Sequence, residues 1–379
     1  MNVSAERIRQ QIAAILSAWG MDADLVRSTT EVMVETDLAG IDSHGISMLM
    51  LYEDLRSAGR LNLQAHPAVV REGPVTALVD ADAGLGHPAG VMGMELAIKK
   101  ALSMGIGAVS VFNSHHFGAA GYYAALAANK GLIGLVTSSA RTVCVVPTRA
   151  AVPVLGTNPI AFAAPARRNR PFVLDMSTST VAANKVKVYD LNHAPLPPGW
   201  VQDEHGAPVT DAALALECIF RREGGGLTPV GGTAEMRSHK GYGLGVLVQI
   251  LSATLSGGSF GPIRVKTQRE DEPDNVGHFF LALDPKMFRP EGAFEDDLDA
   301  VIDVLRQTAP ADPALPVLVA GDPEAEAREQ RLREGIPIAQ TLSDKIRAVC
   351  QRCGVPFVLE PIGSAGALAN APGVIPGAG

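Results

Sequence analysis

The sequence predicts an α/β fold from its pattern, its composition and its length. Short apolar runs such as 76–79 and 108–112 alternate with helical patterns such as 91–104, and this alternation is typical of α/β proteins. Hydrophobic residues make up 47% of the chain and charged residues only 19%, which excludes a disordered protein. The 379 residues are enough to bury a large core and predict roughly two domains.

The elements follow in order along the chain. Residues 1–60 are predicted to be helical, because Ile8, Ile12, Ile15 and Leu16 recur at helical spacing. Strands are then predicted at 76–79, 108–112, 132–137, 160–164, 172–175 and 278–283. Helices are predicted at 91–104, 122–130, 242–255, 298–305 and 324–332. We expect 84–90 to be a Gly-rich loop, 192–212 a surface loop, 242–255 a buried helix and 362–379 a mobile tail.

Charge, cysteine content and the first residues exclude several classes of protein. The 40 acidic residues outnumber the 32 basic ones, which argues against a nucleic-acid surface. Four cysteines in a chain this long are not a disulfide framework. Residues 1–10 carry charges and no long apolar run, and the charge-free stretch 241–263 is broken by glycines and Pro262. We therefore expect a cytoplasmic protein with no membrane and no nucleic-acid partner.

One Gly-rich segment is similar to a dinucleotide-binding fingerprint but departs from it. The strand at 76–79 is followed by Gly84-x-Gly86-x-x-Ala89, whose glycines would let the backbone approach a pyrophosphate. Four residues separate the strand from Gly84, and the next strand ends without an acidic residue for a ribose hydroxyl. The pattern therefore disfavours an ordinary Rossmann site.

Three segments place histidine beside glycine and small polar residues. They are Asp42-Ser43-His44-Gly45, Asn113-Ser114-His115-His116-Phe117-Gly118 and Ser238-His239-Lys240-Gly241. Such neighbours fix the imidazole tautomer and leave room for a ligand, which suits general acid–base chemistry near neutral pH.

Metal binding has weaker support. His115-His116 lacks the i, i+4 spacing of a helix-borne zinc site, and Cys350-x-x-Cys353 has no second cysteine pair near it. The sequence therefore predicts no metal, and a zinc hydrolase is a distant alternative.

Seven ordered motifs together resemble one family of oxidoreductases. They are Asp42-Ser43-His44-Gly45-Ile46-Ser47 with Tyr52 nearby, Asn113-Ser114-His115-His116-Phe117-Gly118, Leu155-Gly156-Thr157-Asn158-Pro159, Val173-Leu174-Asp175-Met176-Ser177-Thr178-Ser179, His239-Lys240-Gly241-Tyr242-Gly243, Gly277-His278-Phe279-Phe280 and Arg331-x-x-x-Gly335-Ile336-Pro337. Across residues 5–340 the chain is similar to the malate/L-lactate/sulfolactate dehydrogenase type of NAD(P)-dependent oxidoreductase. That family also includes ureidoglycolate dehydrogenases, a diketogulonate reductase and cyclic imino acid reductases.

The resemblance implies a fold, a cofactor and an assembly. The expected fold is α/β but not Rossmann, with a largely antiparallel sheet that binds NAD or NADP and a helical domain built from N- and C-terminal segments. We therefore expect a helical domain of 1–75 with 300–345 and an NAD(P)-binding catalytic domain of 76–299. The family also implies a small-molecule substrate and a homodimer with active sites near the interface.

The resemblance further implies roles for individual residues. His44 would donate the proton to the substrate, Ser43 would be its relay partner, and Thr157 would contact the substrate. The cofactor would be held by His116, Phe117, Gly118, Ala119, Ala120, Asp175, Met176, Ser177, His239, Lys240, Asp322, Glu324 and Arg328. Of these, the segment 116–120 would line the nicotinamide, and 322–328 would approach the adenosine. On the residues alone, turns and helix caps explain Thr157, Asp175 and Ser177 better.

Two positions depart from the family pattern. The family has an Arg four residues after the proton donor, where it binds the substrate carboxylate, and here that position is Met48. A thioether cannot make the bidentate bond that a guanidinium gives a carboxylate. The family's Arg-Gly pair after the Asp175 segment is changed to Ala183-Asn184. Arg141, which follows a predicted strand end, is our candidate for the substitute, with a solvated loop arginine as the alternative.

The sequence therefore predicts an NAD(P)H-dependent oxidoreductase that reduces a 2-oxo acid or oxidises a 2-hydroxy acid. A cyclic imine reductase is the alternative within the class, and Met48 leaves open a substrate without a free carboxylate. A cofactor-binding protein without catalysis is the alternative from another class. NADH and NADPH are not distinguished, because no acidic Rossmann residue is present.

Overall fold

The computed structural model describes residues 1–191 and 193–362, which fold as a central sheet with helices packed against it. The strands are β1 (Asn2–Val3), β2 (Ala68–Glu72), β3 (Thr76–Asp80), β4 (Ile106–Ser114), β5 (Ile133–Ser138), β6 (Ile160–Ala164), β7 (Phe172–Met176), β8 (Val201–Gln202), β9 (Gly226–Leu227), β10 (Val276–Leu283) and β11 (Ile336–Pro337). The α-helices are α1 (Ala5–Ala18), α2 (Ala23–Leu38), α3 (Leu49–Ser57), α4 (Gly86–Met104), α5 (Ala120–Ala128), α6 (Ala183–Leu191), α7 (Ala212–Phe220), α8 (His239–Gln249), α9 (Gly261–Thr267), α10 (Ala293–Gln307), α11 (Asp322–Glu334) and α12 (Gln340–Cys353). The tail predicted at 362–379 lies, apart from its first residue, outside the described part of the chain.

Seven strands form the central sheet in the order β2-β3-β4-β10-β5-β6-β7. Strands β3 and β4 run parallel, and the other neighbouring pairs run antiparallel. In the middle of the sheet, Phe280 of β10 pairs with Val109 of β4 and Val136 of β5, residue types that suit a buried strand. The predicted α/β class is confirmed, and the sheet is mixed with mostly antiparallel pairs.

Helices α4 and α5 pack against this sheet through small residues. A Cβ at Gly93 of α4 would lie 2.7 Å from the ring of Phe280, so only glycine lets the helix approach so closely. Ala124 and Ala127 of α5 are fully buried. Helix α4 begins at Gly86. The prediction of a Gly-rich loop at 84–90 is therefore wrong from Gly86 onward, where the chain is helical.

A second core lies between α1, α2, α3 and α12. Ser4 caps α1 by accepting the N–H of Arg7, and Ile8 and Ile12 lie on the buried side of that helix. Ile346 of α12 belongs to the same apolar cluster, and β1 pairs with β11. The N-terminal and C-terminal segments of the described chain therefore share one core.

A third apolar cluster joins α6, α7 and the β8–β9 pair. It contains Val201, from the segment 192–212 that the sequence predicts as a surface loop. Asp211 caps α7 by accepting the N–H of Leu214 at 2.7 Å. The loop prediction is therefore wrong at β8. This two-residue strand pairs with β9, and no local sequence pattern predicts that pairing.

The apolar helix predicted at 242–255 is α8 continued by a π-helical turn at Ile250–Thr254. The prediction that it is buried is wrong, because Leu247, Ile250 and Leu255 are 41%, 53% and 59% exposed. An apolar composition alone does not tell a core helix from one that carries an uncovered apolar face. Within the residues described, no helix has the length and apolar character needed to cross a bilayer.

Helix α11 has the opposite character, since none of its residues is buried. Ion pairs attach it to its neighbours. Arg328 Nε lies 3.0 Å from Glu35 Oε2 of α2, and Asp322 Oδ1 lies 2.5 Å from Arg306 Nη2 of α10.

Candidate active site

His44 and Ser43 lie in the turn between α2 and α3. The backbone N–H of His44 donates to the carbonyl of Ile41 at 2.9 Å. Its Nδ1 lies 2.7 Å from Ser43 Oγ, so the serine orients the ring. Burial lowers the pKa of His44, which favours a neutral imidazole near neutral pH. The structure therefore brings the predicted donor and relay side chains into direct contact.

His116 lies against His44, with their ring centroids 5.3 Å apart. The hydroxyl of Tyr52 is 2.7 Å from His116 Nδ1, and the N–H of Gly118 points at the same nitrogen at 3.4 Å. A backbone N–H can only donate, so Nδ1 is the acceptor and the ring proton belongs on Nε2. His116 therefore offers an N–H from its other nitrogen.

Tyr52 links His116 to a second histidine that sequence reasoning missed. The Tyr52 hydroxyl lies 3.3 Å from His87 Nε2, and burial raises its pKa, so the phenol keeps its proton. Because that proton is directed to His116, the oxygen accepts the N–H of His87. Burial lowers the pKa of His87 to about 3. The only sequence signal for this contact was Tyr52 within the first motif.

A stack of rings supports the histidines from behind. Phe117 lies parallel to His278 at 4.4 Å and stacks on Tyr123 at 5.0 Å, and its side chain is buried in the core. His278 is held by Ser138 Oγ at 2.8 Å and Ser114 Oγ at 2.9 Å. Phe117 is predicted to line the nicotinamide, but its side chain packs in the core. The positive φ of 82° at Gly118 turns the chain toward Ala119 and Ala120 at the start of α5.

Asp175 is the penultimate residue of β7 and lies beside the first turn of α5. Its Oδ2 accepts the N–H of Gly121 at 2.7 Å, and burial raises its pKa to about 6. Met176 ends the strand, and Ser177 Oγ donates to the carbonyl of Ser179 at 3.2 Å. The structure therefore places two groups of predicted cofactor residues, 116–120 and 175–177, next to each other.

A cavity of about 240 Å³ continues from Asp175 toward α11. It is lined by Val173, Leu174, Asp175, Leu318, Val319, Ala320, Gly321, Pro323 and Glu324. Asp175 and Glu324, both predicted to hold the cofactor, thus share one cavity. The other two residues predicted on α11 are paired elsewhere, Asp322 with Arg306 and Arg328 with Glu35.

His239 and Lys240 form the exposed first turn of α8. Lys240 has no ion-pair partner among the described residues. Val230 connects this turn to the Asp175 segment, since its N–H donates to Thr178 O at 3.0 Å. A Cβ at Gly241 would lie 2.1 Å from the Val230 carbonyl oxygen. An unpaired ammonium at a helix N-terminus suits a pyrophosphate, so these residues fit a dinucleotide.

Thr157 lies on a loop that Asn158 fixes in place. The carbonyl of Thr157 accepts the N–H of Thr178 at 2.8 Å. Asn158 is fully buried; its amide donates to Gly245 O at 3.0 Å, and its Oδ1 accepts the N–H of Ala140 at 3.2 Å. Asn158 therefore joins the Thr157 loop, the loop before Arg141 and helix α8, a role that sequence reasoning missed.

Met48 and Arg141 differ in their surroundings. Met48 packs against the helical core. Arg141 Nε lies 2.7 Å from Oδ2 of the buried Asp274, which Arg60 and Arg264 also contact. Burial alone would raise the pKa of Asp274, but the hydrogen bond from His115 and the neighbouring guanidiniums outweigh it and lower that pKa. Three guanidiniums face one carboxylate, so positive charge is in excess here.

Cys350 and Cys353 lie in the last turn of α12 as free thiols. Cys353 Sγ donates to the carbonyl of Val349 at 3.1 Å. Within residues 1–191 and 193–362, no three His, Cys, Asp or Glu side chains are grouped to hold a metal ion.

Comparison with known proteins adds independent information. The profile of the malate/L-lactate dehydrogenase family matches residues 3–347. A malate dehydrogenase of Pyrococcus horikoshii is 37% identical over 356 residues, which cover 94% of this chain and 96% of the relative. The crystal structure of a malate dehydrogenase from Entamoeba histolytica gives a TM-score of 0.89 at 31% identity and covers 94% of this chain and 99% of that one. A Δ1-piperideine-2-carboxylate reductase from Pseudomonas syringae gives a TM-score of 0.79 at 28% identity, with 92% and 99% covered.

Proposed function

The chain belongs to the malate/L-lactate dehydrogenase family, and we propose that it transfers hydride between a nicotinamide and a 2-oxo or 2-hydroxy acid, with His44 as the proton donor. It is an oxidoreductase that uses NAD or NADP. The alternatives of a zinc hydrolase and of a cofactor-binding protein without catalysis are therefore wrong.

The contact between Ser43 and His44 is the observation that carries this proposal. When hydride reaches a carbonyl carbon, negative charge develops on oxygen, and an imidazolium beside it supplies the neutralising proton. In oxidation, the neutral ring accepts the proton of the hydroxyl. Since Nδ1 is engaged by Ser43 Oγ at 2.7 Å, His44 exchanges its proton with the substrate through Nε2. His116 Nε2–H is a second donor for the same oxygen.

Residues on four elements, α8, β7, α11 and α5, are proposed to hold the dinucleotide. Lys240 and the first turn of α8 fit the pyrophosphate, and the cavity shared by Asp175 and Glu324 fits the adenosine side. The bound nicotinamide supplies or accepts the hydride. The start of α5, next to Asp175, would position that ring, and this placement needs no Rossmann fingerprint.

The substrate carboxylate is assigned to Arg141. Met48 packs against apolar residues, whereas Arg141 lies in a cluster with excess positive charge and has a side chain 36% exposed. We expect Arg141→Ala to raise KM for a 2-oxo acid at least roughly tenfold, because a charge-assisted hydrogen bond is lost. The matched control is Arg221→Ala, an exposed arginine without an ion pair in the described part of the chain. An unchanged KM in Arg141→Ala would remove Arg141 from the site.

Oxidation of NADH and NADPH, followed at 340 nm, tests the proposed reaction. The panel holds pyruvate, oxaloacetate, sulfopyruvate, a diketo sugar acid and cyclic imines with and without a carboxylate. His44→Ala should lower turnover by about 10²–10⁴-fold while NADH binding, measured by fluorescence titration, is kept. His205, which is 81% exposed, provides the matched control His205→Ala. Full turnover in His44→Ala would refute the proposed donor.

A cyclic imine reductase is the second candidate. It is favoured by the likeness to the Δ1-piperideine-2-carboxylate reductase, while Met48 at the position of the family's arginine leaves open a substrate without a free carboxylate. In that reaction His44 would protonate nitrogen in place of oxygen. Turnover of cyclic imines but of no 2-oxo acid in the same panel would select this candidate.

We also propose that the protein is a homodimer. The exposed apolar residues Leu247, Ile250 and Leu255 lie near Ile263 and Val265 in the chain, which are 63% and 67% exposed. An uncovered apolar face of this kind is typical of an interaction surface. Light scattering after size-exclusion chromatography should give twice the chain mass of 39.6 kDa, and a monomer would refute the assembly.

A further inference from the structure

Asp37 lies directly beneath the loop that carries His44. It is the penultimate residue of α2 and is only 1% exposed. Its Oδ2 accepts the backbone N–H of Ile46 at 2.8 Å. A Cβ at Gly45 would lie 1.8 Å from Asp37 Oδ1, so the absence of a side chain there is what lets the carboxyl group touch the loop backbone. The segment just after His44 is therefore fastened to the end of α2.

Arg331 fastens the same loop from its other side. It lies on α11, and its Nη1 donates to the Asp37 carbonyl at 2.6 Å. Both of its Nη atoms reach the carboxylate of Asp42, with Nη2 at 3.1 Å from Oδ2. Asp42 immediately precedes Ser43 and His44. A bidentate guanidinium contact fixes direction as well as distance.

We infer that Asp37 and Arg331 are positioning residues that hold the loop bearing Ser43 and His44 in its reactive geometry. One anchor precedes the proton donor and the other follows it, so the backbone on both sides of His44 is fixed. The inference rests on the proposed function in one respect, namely that His44 exchanges a proton with the substrate.

Asp37 and Arg331 differ in the kind of contact that each side chain makes with the loop. Arg331 belongs to the motif Arg331-x-x-x-Gly335-Ile336-Pro337, for which the proposed function gives no role in binding the substrate or the cofactor. Asp37 makes its contact through a backbone N–H, so an amide oxygen at the same place would also accept that hydrogen. A shift of about 1 Å in a catalytic group can cost roughly 100-fold in rate, which sets the scale of the expected loss.

Substitution of Arg331 is the first test, because this side chain is near the surface. Arg331→Met should lower kcat about 10- to 100-fold, with KM and the NADH dissociation constant within about twofold of the parent. Arg331→Lys keeps the charge but not the paired contact, so its kcat should be intermediate. The control is Arg333→Met on the same helix, since Arg333 is exposed and has no ion pair in the described residues. Equal kcat in the two methionine variants would overturn the inference.

Asp37 is tested by a pair of variants. Asp37→Ala should lower kcat as Arg331→Met does, and Asp37→Asn should restore most of it, since the amide oxygen can accept the Ile46 N–H. Amide hydrogen exchange across 41–46 should quicken in Asp37→Ala and not in Asp37→Asn. A loss of NADH binding that parallels the loss of kcat, or an equal loss in both Asp37 variants, would overturn the positioning role.

The His44→Ala variant separates this inference from the proposed function. If His44→Ala keeps its turnover, the proposed function has failed. If His44→Ala loses turnover while Arg331→Met and Arg333→Met behave alike, only the positioning role has failed.

Discussion

Replacing Tyr52 with phenylalanine removes one buried oxygen that two histidines share. The hydroxyl lies 2.7 Å from His116 Nδ1 and 3.3 Å from His87 Nε2, and Tyr52 is fully buried. In the variant, His116 keeps the N–H of Gly118, but the N–H of His87 loses its acceptor. A buried donor without a partner costs about 1–3 kcal/mol, so we expect the free energy of unfolding to fall by that amount.

Guanidinium-induced unfolding, followed by circular dichroism, measures this loss. The matched control is Tyr122→Phe, because the Tyr122 hydroxyl makes no hydrogen bond within the described residues and the variant also loses one oxygen. Tyr52→Phe should unfold at a lower denaturant concentration than Tyr122→Phe with an unchanged slope. If the two variants unfold together, the assigned chain from His87 through Tyr52 to His116 is wrong.

Two further outcomes follow from the same loop. In the proposed reaction, reduction needs protonated His44, and burial lowers the pKa of His44 below its ordinary value of 6.5. We therefore expect kcat/KM for reduction to fall, and kcat/KM for oxidation to rise, as the pH rises through that pKa. pH profiles with the same slope in both directions would contradict this expectation. Gly45→Ala places a methyl group 1.8 Å from Asp37 Oδ1 and should lower the free energy of unfolding by about 1–3 kcal/mol. Gly243→Ala, where a Cβ meets nothing within 4 Å, should instead raise it by up to about 1 kcal/mol in the same denaturation assay, because alanine forms helix better than glycine at this position inside α8.

Local patterns predicted the elements that depend on neighbours in the chain. The strands at 160–164 and 172–175 match β6 and, to within one residue, β7, because alternation and turn residues act over a few positions. The contact of Ser43 with His44 is also local. The helix at 242–255 shows the limit, since its apolar residues predict burial but do not tell which side of the helix the rest of the chain covers.

The parts of the site that the sequence did not predict join distant segments. The Tyr52 hydroxyl meets His87, 35 residues away, and Arg141 meets Asp274 from another strand end. Nothing in the spacing of these residues marks them as partners, because only the tertiary fold brings them together. The roles of His44, Thr157 and Lys240 came from the family resemblance and stay predictions.

Helix α11 contacts two separate parts of the candidate site. Its 13 residues span about 20 Å, with Glu324 at the cavity that Asp175 also lines and Arg331 at the loop of His44. None of its residues is buried, and ion pairs of Asp322, Arg328 and Arg331 attach it to its neighbours. Dissolved salt screens such pairs where they face water. A rise in ionic strength should therefore weaken the attachment of α11 and, through Arg331, that of the loop that carries His44.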